Sequence, residues 1–573
     1  MDVMTEYTRW LDMFAGDSKL VAKLTGLKND PKELEDRFYT EMAFGTAGMR
    51  GIMGYGLNRM NIYTVRRATA GLAEYLKRTP DIAQKGVAIA YDSRNNSRLF
   101  ARQTALVLAA RGVKAYLFDD LRPVPILSFA VRHLKCAAGV VITASHNPAQ
   151  YNGYKVYGAD GAQMSPEAAH GVTQAISCIS FTQCLPMEES DALDAGLLQY
   201  IGNEEVDDDY IRMVCGLSVT PELLRQEGGK LSIVYTPLHG AGNVPVRRAL
   251  DESGIKNVTV VKEQELPDGD FPTVKAPNPE DPGAFALAIP LAQKVDASVV
   301  FGTDPDCDRL GVAVRDGAGV FHTLTGNQIG CLLLHHILSA KQKAGTLPGN
   351  GAVCKSIVTT ELARAICEGF GVMLFDTLTG FKFIGEKIQG FEETGSHTFL
   401  FGFEESFGYL SSTAVRDKDG VNASLLIAEA ACVCMHENIT LYDRLQEIFG
   451  TYGFWSEQVK SVTLPGKDGV EKIKRIMDGL RQSAPGQVGE FKVTAVRDYL
   501  KGTRTQEGVA EKLPYLPSDV LYFELENGHW FCVRPSGTEP KIKLYVNTRA
   551  QSLKEAETLN QHLMAAADDL LKA

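Results

Sequence analysis

Short apolar runs alternate with longer amphipathic stretches over most of the chain, and this pattern predicts strands that alternate with helices. The rhythm begins with strands at 86–91, 114–118 and 138–143 and a helix at 99–111. Because these strands are apolar throughout, we expect parallel-rich sheets covered by helices on both faces.

The same rhythm then restarts twice. The second unit is predicted to contain strands 231–235, 258–262 and 297–301 and helices near 244–252 and 283–295. The third unit is predicted to contain helices 328–343 and 361–369 and strands 352–357, 372–375 and 398–401.

The tail of the chain has a different pattern. Its predicted strands are 458–464, 521–525, 530–533 and 543–546, with helices near 472–481 and from 552 onward. The expected fold class is α/β, with three parallel-rich α/β domains followed by a smaller α+β C-terminal domain around a central cleft. A chain of 573 residues is long enough for the domains 1–205, 206–320, 321–450 and 451–573.

Composition narrows the possible partners and the compartment. A formal net charge of -11 argues against nucleic acid as the main partner, but not against a small anionic substrate bound by focused arginines. The 11 cysteines are scattered without zinc-site spacing, which fits a reducing compartment. Residues 1–10 are polar and no apolar run reaches membrane-spanning length, so we expect no signal peptide, no membrane and a cytoplasmic location.

Polar loops follow the predicted strands, at the place where open α/β sheets bind ligands. We therefore expect these loops to converge on one cleft. The loops with the clearest chemistry are 44–51 (FGTAGMRG), 143–155 (TASHNPAQYNGYK), 302–309 (GTDPDCDR), 402–409 with 416–420 (GFEESFGY and RDKDG) and 534–541 (RPSGTEPK).

Three aspartates at alternate positions give the 302–309 loop the most specific chemistry. The carboxylates of Asp304, Asp306 and Asp308 suit a hard cation such as Mg²⁺, Mn²⁺ or Ca²⁺. An acidic surface turn is the alternative, but the repulsion among three carboxylates would need a compensating cation. The loop therefore predicts a metal site.

The other loops offer hydroxyls, an imidazole and cations. Ser145 adjoins His146, although ordinary turn residues would also explain this pair. Glu404 and Ser406 can hydrogen-bond vicinal hydroxyls, and Lys418 can meet a phosphate, although a solvated loop would also explain these residues.

A phosphate cradle is predicted near the C-terminal end, unless that segment is simply a polar turn. Arg534 supplies charge, Ser536 and Thr538 supply hydroxyls, and Gly537 opens the backbone to an anion. Arg50, among glycines near the start, offers a second anion contact.

In this order the loops resemble the α-D-phosphohexomutase superfamily. TASHNP is similar to its phosphoserine loop, GTDPDCDR to its metal loop, FEESFGY to its sugar loop and RPSGTEPK to its phosphate loop. The resemblance covers nearly the whole chain, and GTAGMRG resembles the long phosphoglucomutase branch, which includes phosphopentomutases. It implies four domains in a heart-shaped arrangement.

The resemblance also implies a role for each matching residue. Ser145 would carry the phosphoryl group and would bind one Mg²⁺ per chain together with the three aspartates. Arg309, Lys155 and His146 would surround the transferred group. The residues that would bind the substrate are Arg50, Thr379, Gly380, Glu404, Ser406, Lys418, Arg534, Ser536, Gly537 and Thr538.

The activity implied is the conversion of glucose 1-phosphate to glucose 6-phosphate, with glucose 1,6-bisphosphate as intermediate and activator. A phosphopentomutase or phosphomannomutase is the alternative on the same scaffold. A Mg²⁺-dependent phosphatase and an inactive sugar-phosphate sensor are more distant alternatives, and the intact Ser145 and aspartates argue against the sensor. The proton acceptor stays open between His146 and Lys155. The expected partners are small sugar phosphates, and the expected state is a monomer or small homo-oligomer.

Overall fold

Four β-sheets divide the computed structural model, which describes residues 2–45, 48–464, 466–535 and 541–572, into four successive units. The first sheet has three parallel pairings at its centre and on one side, and two antiparallel pairings on the other side. Its strands lie in the order Gly48–Ile52, Tyr151–Gly158, Ala138–Ile142, Val87–Tyr91, Ala115–Phe118 and Leu198–Ile201. The helices of this unit are Val3–Met13, Ser18–Gly26, Pro31–Phe38, Ile62–Leu76, Ile82–Lys85, Ser97–Ala110, Val124–His133, Pro166–Ser177 and Glu189–Asp194.

The second sheet is mixed, with two parallel and two antiparallel pairings. Its strands lie in the order Phe321–Thr323, Leu310–Arg315, Val299–Thr303, Ser232–Thr236 and Asn257–Val260. Its α-helices are Asp208–Cys215, Pro221–Glu227, Asn243–Glu252, Lys262–Glu265 and Ala288–Lys294.

The third sheet has parallel pairings except at one edge. Its strands lie in the order Met373–Thr377, Gly351–Ser356, Thr398–Glu404 and Gly408–Leu410. Its helices are Gly326–Lys343, Leu362–Phe370, Phe381–Thr394, Gly420–His436 and Leu441–Tyr452.

The fourth sheet is antiparallel throughout its described pairings. Its strands lie in the order Phe454–Thr463, Lys541–Ala550, Trp530–Pro535, Leu521–Leu525, Phe491–Asp498, Thr503–Gln506 and Val509–Lys512, and Gln487–Val488 pairs with the edge of Phe491–Asp498. The helices of this unit are Gly466–Gln482 and Leu553–Leu570. Three α/β units followed by an α+β unit confirm the predicted fold class.

The apolar strands of the sequence pattern are present, but the mixed edges were not predicted. The loop predicted at 143–155 is wrong in its second half, because residues from Tyr151 onward form the antiparallel strand Tyr151–Gly158. Its glycines and polar residues have a low strand propensity, and the hydrogen bonds to a strand on each side stabilise the extended conformation instead. The helix predicted at 283–295 is also wrong in its first half: a 3₁₀ turn, Pro282–Phe285, precedes the helix Ala288–Lys294, because Asp281 and Pro282 favour a tight turn.

Within the described residues, no single helix is long and apolar enough to span a membrane. Gly420–His436 and Leu441–Tyr452 pass that test only as a pair, and they are bent by 89°.

Glu429 connects the second and third units from inside the helix Gly420–His436. Its carboxylate is fully buried and accepts hydrogen bonds from Ser218 Oγ at 2.6 Å, from Thr220 Oγ1 at 2.8 Å and from two backbone N–H groups. His336 Nε2 lies 3.4 Å away. Burial alone would raise the pKa of Glu429, but its hydrogen-bond partners, His336 first, lower it below its usual value.

Replacing Glu429 by alanine should therefore destabilise the fold by about 3–5 kcal/mol, because buried donors lose their acceptor. The lowered pKa means that the contribution of the carboxylate is complete above the unfolded pKa of about 4.3 and is lost as the pH falls through the folded pKa. Denaturant unfolding at pH 7 measures the loss. Glu447→Ala, which removes an exposed ion pair with Arg444, is the matched control and should cost no more than about 1 kcal/mol. Equal effects of the two substitutions would contradict the connecting role of Glu429.

Candidate active site

Ser145 sits just beyond the buried strand Ala138–Ile142, in a backbone conformation with φ of 52°. A non-glycine residue in this left-handed region needs support from its surroundings. The support begins with Thr143, whose hydroxyl accepts a hydrogen bond from Ser145 N at 2.8 Å and donates to Asp92 Oδ2 at 2.6 Å.

Arg94 holds the rest of the Ser145 loop. Its buried guanidinium donates hydrogen bonds to the carbonyl groups of Ser145, Asn147, Pro148 and Tyr151. Arg94 is not among the residues predicted from sequence. Polar residues follow the apolar strand at 87–91 just as they follow the strands of the recognised loops, but this pattern does not distinguish Arg94 from other arginines.

Asp304, Asp306 and Asp308 form a buried cluster at the end of the strand Val299–Thr303. Their carboxylate oxygens lie within 4.8 Å of one another. Cys307 makes this possible by adopting a left-handed conformation with φ of 48°, which turns the chain so that alternate side chains converge. Burial, and then repulsion from Asp306 and Asp308, raises the pKa of Asp304 well above its usual value.

The serine and the aspartate cluster meet directly across the first two units. Ser145 Oγ donates a hydrogen bond to Asp304 Oδ2 at 2.7 Å and lies 3.2 Å from His146 Nδ1. Burial of the His146 ring, together with the positive charges of Arg309 and Arg50, lowers the pKa of His146 well below its usual value. The ring is therefore neutral at neutral pH.

Two lysines from different units neutralise the aspartates. Lys155 Nζ lies 2.9 Å from Asp306 Oδ2, and Lys418 Nζ lies 2.9 Å from Asp308 Oδ2 and 2.8 Å from Asp417 Oδ1. Burial alone would lower the pKa of both lysines, but these carboxylates raise both pKa values above the usual value. Both side chains are ammonium groups, and Lys418 lies at the metal loop.

Several of the predicted residues line one open cleft. The lining includes Arg50, Ser145, His146, Lys155, Asp308, Arg309 and Lys418. Loops that are distant in the chain thus meet, as their positions after strands indicated.

Glu404 ends the strand Thr398–Glu404 and contacts the predicted substrate loop of the third unit. Its Oε1 accepts a hydrogen bond from Gly380 N at 2.7 Å. Burial, and then the nearby charge of Glu405, raises the pKa of Glu404 to about 7. Thr379 Oγ1 is buried and has no hydrogen-bond partner among the described residues, so it can still serve a ligand.

The remaining predicted residues are placed less centrally. Ser406 lines a neighbouring cavity together with Glu457 and Tyr545. Arg534 is close to the hydroxyl of Tyr545, at 3.4 Å, and its charge acts on Glu404. The predicted contacts of Ser536, Gly537 and Thr538 lie outside the described residues.

The aspartate cluster fits a divalent metal ion. Asp306 Oδ1 and Asp308 Oδ1 are buried without a hydrogen-bond partner among the described residues, and such orphaned oxygens are free to bind a cation. An all-oxygen donor set suits Mg²⁺ or Mn²⁺. Ser145 Oγ adjoins the cluster, so a phosphoryl group on this serine would lie beside the metal.

Sequence models of four domains match the chain in order. They are described as phosphoglucomutase/phosphomannomutase alpha/beta/alpha domain I, domain II, domain III and C-terminal domain, and they match residues 41–183, 208–317, 325–452 and 485–565. This family is metal-dependent, which agrees with the aspartate cluster.

Curated relatives match over nearly the full length. A phosphoglucomutase of Staphylococcus haemolyticus is 37% identical over 91% of this chain and 93% of its own length. A human phosphopentomutase is 35% identical over 90% of this chain and 86% of its own.

Solved structures share the fold. A putative phosphomannomutase of Thermus thermophilus superposes with a TM-score of 0.68 at 22% identity, covering 93% of this chain and 100% of its own. Parafusin of Paramecium, a phosphoglucomutase in an open form, also gives a TM-score of 0.68, at 17% identity, covering 93% and 96%. Matched domain by domain and over most of its length, the chain belongs to the phosphoglucomutase/phosphomannomutase family and is a mutase, an enzyme of the isomerase class.

Proposed function

We propose that this mutase interconverts glucose 1-phosphate and glucose 6-phosphate through a phosphorylated Ser145 and a glucose 1,6-bisphosphate intermediate. The observation that carries the proposal is the contact of Ser145 Oγ with Asp304 Oδ2 at 2.7 Å, in a cleft lined by Lys155, Arg309 and Lys418. A hydroxyl beside a metal-binding carboxylate and among cations suits phosphoryl transfer, in which positioning and charge neutralisation supply most of the rate.

Glucose phosphate is favoured as the substrate by the staphylococcal relatives, which are named phosphoglucomutases. The human relative at 35% identity is named a phosphopentomutase, so a pentose phosphate is the second candidate. The sugar would lie against Glu404, Thr379 and Gly380, where the hydroxyl of Thr379, which has no hydrogen-bond partner among the described residues, can meet a sugar hydroxyl.

The metal in this proposal is Mg²⁺, held by Asp304, Asp306 and Asp308 together with the phosphoryl group on Ser145. When bound, it would neutralise charge on the transferring group. Lys155, Lys418 and Arg309 supply three further positive charges beside these ligands.

The protein side chains would act by binding and orienting. Arg94 and Thr143 hold the backbone of Ser145 through its carbonyl group and its N–H group, and so keep the residue at the cleft. Arg534, with the hydroxyls of Ser536 and Thr538, would hold the phosphate that is not reacting while the bisphosphate turns over. Glucose 1,6-bisphosphate would also act as the activator that restores the phosphoryl group on Ser145.

A cytoplasmic location and a monomer or small homo-oligomer complete the proposal. The unpaired cysteines support a reducing compartment, and thereby the cytoplasmic location.

The substrate and the role of Ser145 can be tested together. Coupled assays with glucose, ribose and mannose 1-phosphates should show the highest kcat/KM for the glucose compound, and Ser145→Ala should abolish turnover of every substrate. Mass spectrometry should find a phosphoryl group on Ser145 of the parent protein. A ribose preference would select the phosphopentomutase alternative, and steady release of inorganic phosphate would indicate a phosphatase.

The metal assignment can be tested by changing one of the three aspartates. Asp306→Asn should weaken Mg²⁺ binding in calorimetry and lower kcat by about 10²- to 10³-fold, because it removes a charged ligand beside the transferring group. Asp296→Asn, which alters an exposed aspartate paired with Arg315 in the same unit, is the control and should leave both quantities unchanged. Full activity in excess chelator would contradict the metal assignment.

Retention of the bisphosphate intermediate can be tested at Arg534. Arg534→Ala removes a charge-assisted contact worth about 1.5–3 kcal/mol, so the intermediate should dissociate about 10- to 100-fold faster. The variant should release free sugar bisphosphate, lose phosphate from Ser145 and depend more strongly on added glucose 1,6-bisphosphate. Parental behaviour in all three assays would show that Arg534 does not hold the intermediate.

A further inference from the structure

Glu280 lies on a segment whose backbone is held by its own hydrogen bonds. Asn278 Oδ1 accepts a hydrogen bond from Glu280 N at 3.1 Å, and Asn278 O accepts one from Asp281 N at 3.0 Å. Asp281 Oδ1 then accepts a hydrogen bond from Gly283 N at 2.9 Å, which starts the 3₁₀ turn Pro282–Phe285. The position of Glu280 is therefore fixed by two consecutive turns.

This segment packs closely against the strand that leaves the metal loop. A Cβ atom added to Gly311 would lie 2.7 Å from Pro279 O and 3.0 Å from the ring of Phe285. Only glycine allows such an approach, and Gly311 is two residues after Arg309. The close packing brings Glu280 beside the Arg309 side chain.

The backbone of Arg309 is held by the loops on either side of the cleft. Arg309 N donates a hydrogen bond to Asp304 Oδ1 at 3.1 Å, and Arg309 forms a β-bridge with Gly408 of the sugar loop. The next residue, Leu310, donates its N–H to Phe407 O at 3.1 Å. These contacts fix the main chain but leave the direction of the guanidinium undetermined.

Glu280 supplies the contact that orients the guanidinium. Arg309 Nη1 donates a hydrogen bond to Glu280 Oε1, whereas Arg309 Nε is buried without a partner among the described residues. The nearest other carboxylate is Asp308, whose Oδ1 lies 3.9 Å from Nε. Without Glu280, the guanidinium would turn toward Asp308 and occupy an oxygen that the metal needs.

The ion pair of Arg309 and Glu280 contributes little to the stability of the fold. The Glu280 side chain is 35% exposed, and ion pairs with such exposure contribute little to the free energy of folding. Arg309 lines the cleft together with Ser145 and His146, so the pair can influence the reaction rather than the stability of the fold.

We propose that Glu280 is a positioning residue that holds the Arg309 guanidinium toward the transferring phosphoryl group and away from the metal ligand Asp308, an inference that rests on the proposed function. The interaction needs an acceptor oxygen at this position more than it needs a charge. Glutamine keeps such an oxygen, and alanine does not.

The test compares Glu280→Ala, Glu280→Gln and a control, Glu265→Ala. Glu265 forms an ion pair with Arg247 at 2.9 Å in the same unit. Glu280→Ala should lower kcat by about 10- to 100-fold, the cost of misplacing a catalytic group by about 1 Å. KM should change by less than about threefold, because the lost interaction stabilises the transition state and not the bound substrate. Glu280→Gln should recover most of kcat, and Glu265→Ala should match the parent.

Mg²⁺ calorimetry supplies a readout that does not depend on turnover. Glu280→Ala should bind Mg²⁺ about 10-fold more weakly than the parent, because the released arginine competes for Asp308, and Glu280→Gln should bind it almost normally. Parental kcat and parental Mg²⁺ affinity in Glu280→Ala would overturn the inference. A parent protein that binds Mg²⁺ but turns over none of the three sugar phosphates would overturn the proposed function alone, and the calorimetry would still decide the role of Glu280.

Discussion

The burial of three carboxylates on one short loop is the constraint on which the rest of the site depends. When both members are ionised, each pair among Asp304, Asp306 and Asp308 repels by about 3–4 kcal/mol at their spacing if the effective dielectric constant is about 20, and this repulsion contributes to the raised pKa of Asp304. A loop with this charge stays folded only if cations are brought to it. Lys155 comes from the first unit and Lys418 from the third, and each forms an ion pair of 2.9 Å with the loop. The assembly of the units around the second one is thus linked to the neutralisation of its aspartates.

The same requirement explains why the cleft is built so rigidly. Ser145 and Cys307 both adopt left-handed backbone conformations, which most residues avoid. Arg94 stabilises the first by bonding to several carbonyl groups of its loop, and Gly420 N stabilises the second by donating to Cys307 O at 3.1 Å. Strain at these two points places a hydroxyl and three carboxylates at the same spot. A phosphoryl group transferred there would meet groups that are already oriented, so little reorganisation would be needed during the reaction.

The residues proposed to bind the sugar come from other units than the three aspartates. Glu404 and the Thr379 loop belong to the third unit, and Arg534 belongs to the fourth. The apolar contact between these two units includes Ile357, Leu378, Tyr499 and Trp530. A scaffold with a fixed phosphoryl-transfer centre and a separate sugar site can serve different sugar phosphates by changes in the latter alone. Relatives with different names, a phosphoglucomutase and a phosphopentomutase at 37% and 35% identity, are consistent with that division.

Local sequence determined the apolar strands, the loops that follow them and the chemistry of those loops, because strand burial and residue type are both visible in short segments. The aspartate loop could be selected in this way, whereas Ser145 and Glu404 were selected only because the ordered loops resemble those of a known family. Tyr151–Gly158 could not be recognised as a strand, since its conformation comes from pairing on both sides. Arg94 could not be ranked above other arginines, because its importance arises from carbonyl groups about 50 residues later in the chain. The ion pair of Lys418 with Asp308 and that of Arg309 with Glu280 were likewise decided only by the tertiary structure. The type of a residue limits which charges it can pair with, but the packing of distant segments determines which of the possible partners lies within reach.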